Sequence, residues 1–230
     1  MTENRIEPID DKKRTIAALV QERIRDAILN SVLPPGSRID QNQLASDLNV
    51  SLVPVREALQ KLEAEGFVQI LPRRGAFVTE TSLSDMEDLY FARRILEGQA
   101  AYHAAERLTD EQINELEHLL KAMDADLAAH NYTAFMSHNR QFHFTIYQAA
   151  NSRYLMNLIT GLWDLAERYR FRYMFVKDKA ANTQAEHQAI LEACRARDKE
   201  KLRDAILFHM TQTLIGIRAY LTAETAPETT

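Results

Sequence analysis

One long part of the chain, residues 84–222, contains no proline and only three of the six glycines. Proline and glycine are the residues that helices tolerate least, at a cost of about 3 and 1 kcal/mol relative to alanine. We therefore predict six helices, separated at short polar segments that offer N-cap residues such as Thr109, Ser152 and Asp198. The predicted helices span 84–106, 109–129, 131–150, 152–175, 178–196 and 198–222.

Residues 13–80 have the opposite character, because most turn-forming residues of the chain are concentrated there. Apolar residues at helical spacing predict a helix that ends near Asn30, a short helix over 41–47 and a third that ends near Glu65, before Gly66. Two β-rich runs then flank a turn, in the order FVQIL, PRRG and AFVTE, and predict a hairpin. Three helices followed by a hairpin wing form a winged helix-turn-helix. The predicted fold is therefore mostly α: this domain, followed by an all-α six-helix bundle over 84–222.

The remaining segments and the single cysteine exclude several classes of protein. The arm 1–12 and the tail 223–230 are polar, and we expect both to be flexible. The chain has no hydrophobic signal core at its start and no apolar run of about 18–20 residues, so we expect a cytoplasmic protein without a membrane segment. Cys194 is the only cysteine, which excludes an intramolecular disulfide framework and a cysteine-rich zinc finger.

The negative net charge of −5 does not argue against nucleic-acid binding, because the charge is unevenly distributed. Residues 11–79 contain ten basic and eight acidic residues, which makes this segment +2. A basic patch on one small domain is enough to bind nucleic acid.

In a winged helix-turn-helix the third helix enters the major groove of double-stranded DNA with its N-terminal residues. Arg56 is placed to pair with guanine or a phosphate, and Leu52 and Val53 to touch thymine methyl groups. The alternative is a protein-binding module in which Arg56 forms a salt bridge with Glu57 or Glu63. The predicted DNA-binding residues are Ser51, Leu52, Val53, Arg56 and Gln60 on this helix and Arg73, Arg74 and Gly75 in the wing.

This domain closely resembles the DNA-binding domain of the GntR family of bacterial transcription regulators, most clearly in LA..L.VS..PVREAL..LE.EG.V...P.RGAFV. The resemblance implies that Arg56 is a principal DNA contact and that Asn42 occupies a position that often touches phosphate. One position departs from the family, where an arginine commonly follows the serine of this motif as a base reader. Leu52 stands there, which removes a bidentate guanine contact and predicts a changed operator sequence.

All seven histidines lie in the helical half. Three of them, His143, His187 and His209, each lie in an amphipathic pattern on a different predicted helix. Three imidazoles that converge in a bundle would form a divalent metal site, because each offers a neutral nitrogen donor. The spacing leaves open whether they converge or are separate core and surface histidines. We expect surface or scattered positions for His103, His118, His130 and His138.

The helical half resembles the FadR C-terminal ligand-binding domain, abbreviated FCD, and its six helices suggest the VanR-like branch. The resemblance rests on the pattern of Arg93, Glu97, Asn139, Phe142, His143, Asn151, His187, Asp198 and His209. It implies a divalent metal, zinc first with nickel or manganese as alternatives, bound by Asn139, His143, His187 and His209. The family usually has aspartate where Asn139 stands, so we expect weaker metal retention and stronger attraction for an anionic effector. The alternative is that the metal is lost and the histidines only form hydrogen bonds.

Two arginines are predicted to contact the effector. Arg93 matches a family position that often reaches the pocket, where a buried guanidinium would bind a carboxylate as a fork. Pairing with Glu97, one helical turn away, is the equal alternative. Arg172 lies on the predicted helix that also contains Trp163 and Tyr169, and we expect this helix to close the pocket. The alternative is that Arg172 belongs to a basic face exposed to solvent.

The leading hypothesis is a homodimeric transcription regulator, a repressor rather than an enzyme, that binds a short pseudopalindromic operator. Its effector is predicted to be a small organic acid or sugar acid. Dimerisation follows from the family and from the matching of protein and operator symmetry. A metal-dependent hydrolase is the hypothesis from another class, but no obvious general base accompanies the histidines. A third hypothesis keeps the regulator with a metal-free, apolar pocket for acyl chains.

Overall fold

The computed structural model describes the backbone of residues 15–30, 32–80, 82–174 and 180–224. Within these ranges it describes every side chain except those of 168, 170–174, 180–182, 220, 221, 223 and 224. The chain divides into two compact units at residues 79 and 80. The predicted flexible arm 1–12 lies outside the described residues, as do residues 225–230 of the predicted tail.

The N-terminal unit contains three helices and a small antiparallel sheet. Its elements are α1 (Ile16–Leu29), β1 (Arg38–Ile39), α2 (Gln41–Asp47), α3 (Leu52–Ala64), β2 (Val68–Leu71) and β3 (Gly75–Val78). The predicted hairpin is formed by β2 and β3, in register from Val68 opposite Val78 to Leu71 opposite Gly75. The sheet also has a third strand that the sequence does not predict, since β1 pairs with β3 at the outer edge. A strand of two residues is too short to show an alternating pattern.

The helices of this unit form where apolar stripes and polar caps agree. The buried face of α1 contains Val20 and Ile24, and α3 packs against it with Val55 and Leu59 on its own buried face. The Asp40 side chain begins α2 by accepting the backbone N–H groups of the first turn. These contacts leave the opposite face of α3 exposed, and this is the face that is predicted to bind DNA.

The C-terminal unit consists of six helices in the described ranges. They are α4 (Leu83–Ala104), α5 (Asp110–Ala128), α6 (Tyr132–Ala149), α7 (Arg153–Met174), α8 (Ala180–Ala196) and α9 (Lys199–Glu224). The side chains of Thr109, Ser152 and Asp198 accept backbone N–H groups at the starts of α5, α7 and α9, so the predicted caps are confirmed. The helix predicted from 178 begins at Ala180, and 175–179 lie outside the described residues.

Packing in this unit is centred on α4, which contacts α6, α7 and α9. One hydrophobic core runs through all six helices and includes Tyr90, Leu116, Phe142, Ile190 and Ile206. Each helix therefore turns one face inward, and polar side chains on those inner faces are brought close together. None of the helices in the described part of the chain is both long and apolar enough to cross a membrane.

Candidate functional site

Three histidines from three different helices meet inside the C-terminal unit. His143 lies on α6, His187 on α8 and His209 on α9. Their ring centroids are 5.3, 5.0 and 4.7 Å apart in pairs. One nitrogen of each ring lies within 4.8 Å of the other two, and all three side chains are buried. The sequence spacing leaves open whether these side chains converge, and the structure brings them together.

The rings of His187 and His209 are each held at Nδ1 by a side chain of α8. Nδ1 of His187 lies 3.0 Å from Gln184 Oε1, and Nδ1 of His209 lies 2.8 Å from Glu186 Oε2. An amide oxygen only accepts hydrogen bonds, so His187 donates from Nδ1 and presents Nε2 as an acceptor. Metal-binding histidines typically have this arrangement, in which the other ring nitrogen is hydrogen bonded. Burial raises the pKa of the Glu186 carboxyl group to about 7.

The donor set fits a divalent metal such as zinc, nickel or manganese. Three imidazole nitrogens are common ligands of such ions. Asn139 is buried one helical turn before His143 on the same face of α6, so its amide oxygen is a candidate fourth ligand. These side chains are neutral donors, so a metal held by them keeps its full positive charge toward an incoming anion.

A buried ion pair lies beside the histidines. Arg93 Nε donates to Glu97 Oε1 at 2.7 Å, and Arg93 Nη2 donates to Oε2 at 3.4 Å. Burial alone would lower the pKa of Arg93, but the attraction of Glu97 raises this pKa above its ordinary value, so the guanidinium stays charged. Of the two alternatives for Arg93, the pairing with Glu97 is present, but it lies in the interior rather than at the surface.

Glu97 connects this ion pair to the histidine cluster. Its Oε2 accepts the Tyr147 hydroxyl at 2.7 Å and the Trp163 indole N–H at 2.9 Å. The Tyr147 oxygen also lies 3.4 Å from Nδ1 of His143. Arg93, Glu97 and two of the histidines line a common cavity of about 20 Å³. The ion pair and the cluster therefore form one polar site.

Two further residues, Arg172 and Tyr169, lie on the helix predicted to close the pocket. Arg172, predicted to contact the effector, lies outside the residues whose side chains the structure describes. Tyr169 is buried on α7, but its hydroxyl donates to the Asp85 carboxylate at the start of α4. Of the remaining histidines, His103, His118 and His130 are exposed. His138 is bonded through Nδ1 to Asp126 at 2.6 Å.

The candidate DNA-binding surface lies on the N-terminal unit. Val53, Arg56 and Gln60 on α3 are exposed, while Leu52 is half-buried. Arg56 Nε donates to Gln41 Oε1 at 3.4 Å. Glu63, a partner in the alternative salt bridge, instead accepts the backbone N–H of Ile70. Arg56 is thus held near the start of α2.

A surface hollow of about 310 Å³ gathers residues from several elements of this unit. Four predicted DNA contacts line it, namely Asn42, Leu52, Arg56 and Gly75. Ser51 is exposed at the N-cap of α3, where its side chain makes no capping hydrogen bond. Arg73 and Arg74 are exposed at the wing turn, where Arg73 has φ +63° and Gly75 φ +102°. The Arg74 guanidinium lies 5.8 Å from the Phe77 ring centroid.

The sequence prediction does not include several residues that the structure places at these sites. Arg38 lines the hollow of the N-terminal unit, but it lies on the strand β1, whose two residues are too few to show an alternating pattern. Gln184, Glu186 and Tyr147 hold the histidine rings. In the sequence, only their spacing from the histidines could indicate this role. That spacing can be interpreted only once the three histidines are known to converge.

Comparison with known proteins decides the family. The family model described as "FCD domain" matches residues 88–212, which is more than half of the chain. The model described as "Bacterial regulatory proteins, gntR family" matches residues 16–78. The chain belongs to the GntR family. It is a DNA-binding transcriptional regulator with an FCD domain, as the resemblance predicts.

Other GntR regulators resemble the chain over most of its length. It is 30% identical over 219 residues to the HTH-type transcriptional regulator BphR of Paraburkholderia xenovorans, covering 93% of this chain and 89% of that protein. It is 26% identical to the HTH-type transcriptional repressor RspR of Escherichia coli, covering 85% and 86%. The solved structure of E. coli McbR/YncC has a TM-score of 0.77 at 24% identity, covering 91% of this chain and 100% of that one. The structural likeness shows that the fold is shared.

Proposed function

We propose that this GntR regulator is a homodimeric repressor whose operator affinity is controlled by a small carboxylate bound at a metal centre in the FCD domain. The observation that carries the proposal is the convergence of three buried histidines from α6, α8 and α9. Burying several polar rings together is costly unless each has partners. A shared divalent ion explains why they lie in one core.

His143, His187 and His209 would hold the ion, with Asn139 as a neutral oxygen donor. The bound ion would supply a positive charge that attracts the carboxylate of the effector. The neighbouring ion pair of Arg93 and Glu97 keeps a permanently charged guanidinium at the wall of the same cavity. This site would therefore select anions of small size.

An effector controls the protein only if it binds the DNA-competent and DNA-incompetent states with different affinity. Three helices contribute the candidate ligands, so their spacing would depend on whether the centre is occupied. We propose repression, relieved by the effector, as the direction of control. The related E. coli protein RspR is named a transcriptional repressor, which supports this direction.

A second copy of this chain is the proposed partner for an exposed apolar face of the C-terminal unit. Phe91 and Ile95 on α4 are 66% and 52% exposed, and Phe208 and Ile215 on α9 are 57% and 54% exposed. A groove of about 540 Å³ between these helices is lined by apolar side chains and by Glu87, Arg94 and Arg203. A face with charges of both signs suits a two-fold contact, because an acid of one copy can then meet a base of the other.

The first test is elemental analysis of untagged protein purified without chelators. We expect close to one equivalent of zinc, nickel or manganese per chain, and its loss in His187→Ala. His118→Ala is the matched control, since this histidine is exposed on α5. The thermal midpoint with and without added metal checks that the variant still folds. Wild-type protein that takes up no metal even after soaking would refute the metal centre.

The DNA-binding surface is tested by operator affinity. Arg56→Ala removes a cation from the hollow at the start of α3, and we expect at least a tenfold loss of affinity if it contacts a base. Arg23→Ala, an exposed arginine of α1 outside this hollow, should change affinity little. Fluorescence anisotropy with a labelled operator fragment measures both. An Arg56→Ala protein with unchanged affinity would show that α3 is wrongly assigned as the recognition helix.

A further inference from the structure

An exposed arginine of the N-terminal unit lies between α3 and the wing. Arg38 is the first residue of β1, and it lines the surface hollow together with Arg56 of α3 and Gly75 of the wing. Adjacent residues of a strand point to opposite faces, and Ile39 is buried, so Arg38 points outward. The pairing of β1 with β3 therefore fixes a cation at this hollow.

The Arg38 guanidinium lies against the backbone of the wing. A Cβ at Gly75 would be 3.5 Å from Arg38 Nε and 3.7 Å from Arg38 Nη2, so the glycine leaves open the space beside which the guanidinium lies. Gly75 also has φ +102°, a conformation that favours glycine. The start of β3 thus helps to set the position of the Arg38 charge.

The charge of Arg38 is not balanced within the hollow. Among the described residues, no carboxylate pairs with its guanidinium. Asp40 is the one acid among the described residues that line the hollow, and its Oδ1 accepts the backbone N–H groups of Asn42 and Gln43. Arg56 is a second cation at the same hollow. Two guanidinium groups and one carboxylate leave a net positive charge, which attracts an anion.

The part of DNA that meets this position is the sugar–phosphate backbone. The third helix of a winged helix-turn-helix enters the major groove with its N-terminal residues, and the base edges lie inside that groove. Arg38 belongs to the sheet beside α3 rather than to α3 itself, so it faces the strand of phosphates that borders the groove. Contacts to phosphates fix a protein on the duplex without reading its sequence.

We propose that Arg38 is a DNA-contact residue that binds one backbone phosphate at the border of the major groove entered by α3. This inference rests on the placement of α3 as the recognition helix, as in the proposed function, and is independent of the metal centre. Arg56 is placed to pair with a base, whereas Arg38 adds affinity for any DNA sequence. The two arginines of one hollow thus have separate roles in specificity and affinity.

The test compares two neutral variants, Arg38→Ala and Arg38→Gln, with the charge-conserving Arg38→Lys. Each full-length protein is titrated by fluorescence anisotropy with a duplex that the wild type selects from a random-sequence pool, and with a scrambled duplex of the same length. We expect the neutral variants to raise the Kd for both duplexes by a similar factor, about three- to tenfold per bound chain, so that the ratio of the two Kd values is unchanged.

Salt dependence and phosphate removal identify the contact itself. Between about 50 and 200 mM salt, the slope of log K against log salt concentration should become shallower by about 0.9 per bound chain in the neutral variants and stay unchanged in Arg38→Lys. Duplexes with a single uncharged methylphosphonate linkage, moved along each strand, should weaken the wild type at one linkage per bound chain that leaves Arg38→Ala unaffected. A merely structural role would produce neither effect. Arg23→Ala, an exposed arginine outside the hollow, is the matched control.

The outcomes separate this inference from the placement of α3. If the neutral variants bind both duplexes as tightly as the wild type while Arg56→Ala binds weakly, the phosphate contact is refuted and α3 stands as the recognition helix. If they lose affinity for the selected duplex alone, Arg38 reads a base and the phosphate contact is refuted. If Arg56→Ala also binds normally, both assignments are refuted. Thermal midpoints verify the folds, and Arg38→Gln decides the matter if Arg38→Ala does not fold.

Discussion

At the scale of single residues, the proposed metal centre would depend on groups that do not touch the metal. Glu186 accepts at Nδ1 of His209 and so favours the tautomer that presents Nε2 to the cluster. Glu186→Gln keeps the shape but removes the ionisable carboxyl group. We expect the Kd for zinc to rise about tenfold, as with other partners of metal-binding histidines. Competition with a chromogenic chelator measures this.

The matched control for that prediction is Glu192→Gln, an exposed glutamate on the same helix. Its zinc affinity should equal that of the wild type. Equal affinity in Glu186→Gln as well would mean that the carboxylate of Glu186 does not support the centre.

Asn139 allows a second test at this scale. A carboxylate at this position would add a negatively charged ligand to the neutral ligands proposed for the metal. We expect Asn139→Asp to hold zinc about tenfold more tightly, since hydrogen bonds and contacts to charged groups are stronger than those to neutral ones. The same change should weaken binding of an anionic effector by lowering the positive charge of the centre. Asn157→Asp adds the same charge on the exposed face of α7 and should leave the Kd for zinc unaltered.

At the scale of helices, two helical glycines should respond differently to alanine, because Gly98 is buried and Gly161 is exposed. A Cβ at Gly161 on α7 would meet nothing within 4 Å, whereas a Cβ at Gly98 on α4 would lie 3.1 Å from Leu207 Cδ2. We expect Gly161→Ala to raise the free energy of unfolding by about 0.5–1 kcal/mol through helix propensity.

Gly98→Ala should raise the free energy of unfolding by less than Gly161→Ala, because the added methyl group crowds the contact between α4 and α9. Urea denaturation of both variants measures the difference. An equal gain at the two positions would show that Leu207 moves aside freely.

At the scale of the whole molecule, the proposed mode of operator binding requires two copies of the chain. Ile95→Glu places a charge in the exposed apolar face of α4 and α9, and we expect it to shift the protein from dimer to monomer in light scattering. Its affinity for a two-half-site operator should fall accordingly. Leu158 on α7 is 58% exposed, and the Leu158→Glu protein is the control, which should remain dimeric. A dimeric Ile95→Glu protein would place the interface elsewhere.

The helices, the hairpin and the family could all be predicted from the sequence. The stretch 84–222 without proline predicts helices, and caps such as Thr109 and Asp198 mark their starts, because caps and propensity act between near neighbours along the chain. The motif around Arg56 specifies the winged helix-turn-helix for the same reason. Features that depend on residues close together in the sequence can therefore be predicted from it.

Which polar side chains meet depends on how the helices pack against one another. His143, His187 and His209 are far apart in sequence, and their convergence depends on how α6, α8 and α9 pack. The pairing of Arg93 with Glu97 in the interior depends on burial by α7 and α9, which helical spacing cannot reveal. The strand β1 likewise exists only because β3 offers it an edge. Each of these features is a contact between distant segments, and packing rather than local preference determines such contacts.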